Sequence, residues 1–175
     1  MLVFWRMIML LTPLLVCLSV EAQTSDELKQ KYPVQEDGSY LVRPNIILIV
    51  AFDENGQACR MQIEPRKLIS STSYSIATMS SKIVEEIINE FAPASTLGAR
   101  LRSMSFNGGC SGMGVSVYEE REISVASTCT PNGVGVTAAW IIWRKSKCWE
   151  QYQRRTHSAP EIDRAIQHAL GAYSP

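Results

Sequence analysis

Residues 45–64 read Asn-Ile-Ile-Leu-Ile-Val-Ala-Phe-Asp-Glu-Asn-Gly-Gln-Ala-Cys-Arg-Met-Gln-Ile-Glu, and the fold is decided there. Ile46 to Phe52 is an unbroken apolar run rich in β-branched side chains, and it stops at Asp53-Glu54-Asn55-Gly56. That pattern is a strand entering a hairpin, because Asn and Gly tolerate the positive φ that tight hairpin turns demand. The first arm is apolar on both faces and predicts a strand inside a sheet. The returning arm, Gln57–Glu64, mixes polar and apolar residues and predicts a position nearer the sheet edge.

Upstream of the hairpin, Met1–Val20 is almost wholly apolar with Arg6 as its one charge. Val20-Glu21-Ala22 then offers a signal-peptidase cut before Gln23. This predicts a signal peptide over 1–22 and a single exported domain over 23–175. Two alternatives use the same residues: an uncleaved membrane anchor, or lipidation at Cys17, where Val16 replaces the usual small residue. Each delivers the domain to a secreted or periplasmic location, membrane-anchored if the segment is kept.

Removing 1–22 takes away Arg6 and Glu21 and leaves sixteen basic and sixteen acidic residues. A neutral domain is a poor fit to a nucleic-acid binder, whose affinity is mainly phosphate electrostatics. No second apolar run reaches membrane-spanning length, so no membrane span is expected after cleavage. Cys59, Cys110, Cys129 and Cys148 remain, an even count that in an exported chain reads as two disulfides. No pair has zinc-knuckle or redox spacing, and neither a metal nor a cofactor is expected.

The remaining elements follow from periodicity. Ser25–Lys31 predicts a short capped helix, and Ser39–Arg43 an edge strand interrupted by Pro44. Over Ser80–Phe91, Ile83, Val84, Ile87, Ile88 and Phe91 form one helical stripe, with the charges set against the helix dipole. The spacing of Leu97, Leu101 and Met104 suits a helical face, which Gly98 and several serines oppose. Gly108–Gly114 reads as a flexible loop.

Val115–Tyr118 and Ile123–Ser127 form a half-exposed hairpin, with Val115, Val117, Ile123 and Val125 on one face. Val134–Arg144 is a last long strand, apolar on both faces and therefore central. Ser158-Ala159-Pro160-Glu161 fits a capping box, and Ile162, Ala165, Ile166, Ala169, Leu170 and Tyr173 continue it as an amphipathic helix. Together these predict an α+β domain with a mainly antiparallel sheet of about five strands and two main helices, stapled by two disulfides. The strand-turn-strand-helix order from Ile46 to Phe91 loosely resembles periplasmic domains of the TonB carboxy-terminal type; no residue role follows from it.

Topology ranks the cysteine pairings. Cys110 precedes one strand and Cys129 follows its partner, so both lie at one end of the sheet, while Cys148 lies at the other. Joining Cys148 to either would cross a strand of roughly 20 Å, against a Cα separation of at most about 7 Å for a disulfide. Cys110–Cys129 and Cys59–Cys148 are therefore expected. The apolar alternation, however, sets Val117 opposite Ile123, one residue out of step with a Cys110–Cys129 bridge. A bulge in the glycine-rich loop is the expected remedy.

No motif names a reaction. Gly109-Cys110-Ser111-Gly112-Met113 lacks the final glycine of an esterase elbow. Glu85, Glu86 and Glu90 fall on a polar helix face, and Glu119, Glu120 and Glu122 at a hairpin tip, which predicts solvated carboxylates. His168 reads as a surface residue, and His157 is the one anchor for an alternative reading as a small secreted hydrolase. The stretch 144–155 is more suggestive. Arg144, Lys145, Lys147, Arg154 and Arg155 interleave with Trp149 and Tyr152 beside Cys148, a composition suited to an anionic glycan or an acidic protein. The leading expectation is a non-catalytic binding or interaction module.

Overall fold

The computed structural model describes residues 23–66, 77–146 and 148–150. The elements are α1 (Ser25–Lys31), β1 (Tyr40–Arg43), β2 (Ile46–Phe52), β3 (Ala58–Pro65), α2 (Ser81–Phe91), a 3₁₀ turn (Ala94–Thr96), β4 (Arg100–Gly108), β5 (Ser111–Tyr118), β6 (Arg121–Thr130) and β7 (Gly133–Trp143). The strands form one antiparallel sheet in the order β1-β2-β3-β7-β6-β5-β4, seven strands where about five were expected. The final amphipathic helix and the signal segment lie outside the described residues.

Two meanders make this sheet. The first, β1 to β3, is closed by Pro44-Asn45 and Asp53–Gly56; the second, β4 to β7, starts at the far edge and returns so that β7 lies against β3. The expectation that β3 runs near an edge is overturned, because its buried Ala58, Cys59, Met61 and Ile63 fit only between two strands. The hairpin turn is also wider than a two-residue turn. Asp53 Oδ1 accepts from the Asn55 and Gln57 amides, each at 2.9 Å, and Gly56 alone takes positive φ, at 74°. Carboxylate-organised turns of this kind do not need the tight Asn-Gly geometry.

β4 and β5 correct two further expectations. Leu97 ends the 3₁₀ turn, whereas Leu101 and Met104 belong to a strand. Residues 108–114 are no loose loop: Gly109-Cys110 is the turn, with Gly109 at φ 60°, and Ser111 to Gly114 already pair with β6. The β5–β6 register sets Val117 opposite Glu122 and Val115 opposite Ser124, one residue from the pairing that apolar alternation suggested. This register matches the Cys110–Cys129 bridge without a bulge between them. Both disulfides pair as topology required, with Cα separations of 5.0 Å for Cys110–Cys129 and 5.8 Å for Cys59–Cys148.

The main apolar cluster lies on one face of the sheet. Val84, Ile87 and Phe91 of α2 pack with Leu28 and Tyr32 against Leu48, Met61, Ile63, Ala139, Ile141 and Trp143. Glu90 sits in the last turn of α2, where the helix dipole disfavours a carboxylate. Lys31 at 2.6 Å, Arg43 at 2.9 Å and the Tyr32 hydroxyl surround it and join α1, β1 and α2. Burial alone would raise its pKa, but these three donors prevail and hold it at about 2.

Candidate binding site

The second sheet face carries buried residues of its own, Ile47, Val115, Val117, Ser124 and Ile142, and its side chains follow from the register. Cross-strand partners project to the same side. One row therefore runs Arg102, Val117, Glu122, Ile142, Arg60. The next runs Met104, Val115, Ser124, Trp140, Gln62, Ile49. With strands about 4.8 Å apart, Glu122 lies about 10 Å from both arginine positions of its row, measured at the backbone.

Between these rows lies a half-open cleft of about 240 Å³ lined by Arg60, Met113, Glu122, Ser124, Trp140 and Ile142. Ile142 and Ser124 are each 4% exposed, whereas Met113 is 39% exposed and Trp140 half-buried. The cleft thus offers an indole, a thioether and an isoleucine as apolar surface. Among the described residues, the Arg60 guanidinium, the Ser124 hydroxyl and the Glu122 carboxyl line it as polar groups, beside the indole of Trp140. Burial pushes the Glu122 carboxyl above the ordinary carboxylate value, opposed by Arg144, the Ser124 hydroxyl and Arg102. Arg60 also donates to Gln62 Oε1 at 3.2 Å, which orients the guanidinium along β3.

Glu122 corrects the sequence reading, which placed it with Glu119 and Glu120 at a solvated tip. It is a strand residue on a half-buried face. Glu119 and Glu120 do lie at the turn, and both have structural partners. Glu119 accepts from the Ala99 amide at 3.1 Å, and Glu120 pairs with Lys145. Gly98, at φ 73°, is required beside Glu119, since a Cβ there would lie 2.7 Å from its carboxylate oxygen.

Of the basic-aromatic stretch, Arg144, Lys145 and Trp149 are described. Arg144 donates to the Tyr118 carbonyl at 2.8 Å and lies 5.8 Å from the Trp149 ring centre, while Lys145 is exposed in its ion pair. Lys147, Tyr152, Arg154, Arg155, His157 and His168 lie outside the described residues. The sequence alone does not bring Arg60, Ser124 and Trp140 to one cleft; their shared face was the available signal, but it needed the β3–β7–β6 order. No three His, Cys, Asp or Glu among the described residues are placed to hold a metal.

No protein-family model, curated protein or solved structure matches the chain. The resemblance to TonB-type domains therefore stays one of element order. Two disulfides fit an oxidising compartment outside the cytoplasm, and among the described residues no helix is long and apolar enough to cross a membrane.

Proposed function

We propose that this chain is an exported, non-catalytic binding module whose ligand occupies the cleft on the second face of the sheet. The observation that carries this reading is the convergence of Arg60, Glu122, Ser124 and Trp140 on one partly apolar recess. Binding sites combine an apolar floor with a few convergent polar groups. The cleft has room for a single ring, and its chemistry suits a sugar carrying an anionic group. The ring stacks on Trp140, Arg60 takes the anion, and Ser124 and Glu122 serve the hydroxyls. Among the described residues, Glu122 supplies the carboxyl that lines the recess.

Calorimetric titration with acidic oligosaccharides tests the reading, with tryptophan fluorescence as a second signal. Trp140→Ala and Arg60→Ala should each weaken binding at least tenfold without unfolding the protein. Reversing charge at Arg154 and Arg155 should leave it unchanged. Binding that survives both cleft substitutions and disappears on that charge reversal would transfer the site to the basic-aromatic stretch.

A further inference from the structure

We infer that the β4 edge is an interface between two copies of this chain, which pair antiparallel through Arg100–Gly108 and join their sheets into one. The two edges of the sheet are treated differently. β1 has four residues, and its outer side is covered by the Val34–Tyr40 bridge and by the Leu41 amide donating to the Pro33 carbonyl at 2.9 Å. β4 has nine residues, and no strand among the described residues pairs with its outer side. Leu101 and Phe106 are 56% and 58% exposed.

Every second residue of such an edge turns its N–H and C=O outward, a template for another strand. Edges that stay single carry charges, prolines or bulges. Here a register irregularity and two arginines occupy only the Arg100–Arg102 end; Ser103–Gly108 has no charge and no proline.

The side-chain pattern selects a second copy as the occupant. A twofold axis through Met104 sets Arg102 opposite the partner's Phe106, and Phe106 opposite the partner's Arg102. Both residues lie on the second face, so each guanidinium meets an exposed ring. The two Arg102 positions end four residues apart along the strands, roughly 13 Å. Parallel self-pairing would set the arginines side by side, which is unfavourable. Antiparallel edges related by a twofold perpendicular to the sheet keep like faces on one side. Both clefts then open in the same direction, each with Met113 cross-strand from Phe106.

Sedimentation velocity on the oxidised full chain over a concentration series tests this. The wild type should be a dimer at high concentration and dissociate on dilution. Phe106→Lys sets like charges across the twofold and should weaken the dimer at least tenfold. The double variant Arg102→Glu with Phe106→Lys should restore it, because opposite charges then face each other. Both substitutions are on exposed side chains, and circular dichroism confirms that each variant is folded. A wild type that stays monomeric at the highest concentration overturns the inference. So does a dimer indifferent to Phe106→Lys, or one that the second substitution fails to rescue.

Discussion

Two glutamates show how position sets the character of the same side chain. Glu90 has three donors, and its folded pKa of about 2 lies below the ordinary 4.5. A depressed carboxylate stabilises the fold above its unfolded pKa, and that contribution is lost as pH falls from 4.5 towards 2. Glu90→Gln should therefore cost about 1–3 kcal/mol at neutral pH. Its denaturation curves should also lack the extra loss the wild type shows across that acid window. Glu122 has the opposite sign. Burial raises its folded pKa, so the fold favours the protonated form, and that preference is lost as pH rises through the folded value. Glu122→Gln should raise the melting temperature at pH 7 by roughly 1–4 °C, with the difference vanishing near pH 4. If the cleft binds as proposed, the same substitution weakens ligand capture, separating a binding role from a stabilising one.

Among the elements, β5 and β6 show why alternation alone misplaced a register. Setting Val115 and Val117 on the same face as Ile123 and Val125 assumes one buried face and one wet one. In this sheet both faces of β5 and β6 are partly covered, so valines can turn to the second face while Ile123 and Val125 pack on the core. The constraint that decided was covalent. Cys110, just before β5, faces Cys129 of β6 in the observed register, and the Cys129 amide donates to the Cys110 carbonyl at 2.8 Å. The α2 stripe was legible for the complementary reason. Val84, Ile87 and Phe91 have one apolar layer to meet, and the period of a helix then fixes which residues meet it.

For the whole molecule, the two bridges constrain very different lengths of chain. Cys110–Cys129 closes 19 residues around one β5–β6 pairing, whereas Cys59–Cys148 closes 89 and encloses α2 and β4 to β7. In the chain-entropy account the longer loop is worth more, about 4–5 kcal/mol against about 3. Replacing Cys59 and Cys148 together by Ala should therefore lower the urea midpoint further than replacing Cys110 and Cys129. Equal losses would show that local strain or residual structure outweighs loop length. Peptide mapping of the unreduced wild type should recover both pairs.

The sequence by itself determined the local periodic elements and the covalent frame. The Ile46–Phe52 strand, the α1 and α2 helices, the central β7 and both cysteine pairings follow from side-chain period, turn chemistry and strand length. Only the tertiary structure decided the sheet order, and with it the cleft. β3 lies beside β7 although more than seventy residues separate Ile63 from its partner Ala139, and no local pattern encodes that pairing. Arg60, Glu122, Ser124 and Trp140 come together because three strands bring one face of each into adjacent rows. Ile46–Glu64 thus supplies both the best-read hairpin and, through Arg60, one wall of a cleft that no single stretch of the chain contains.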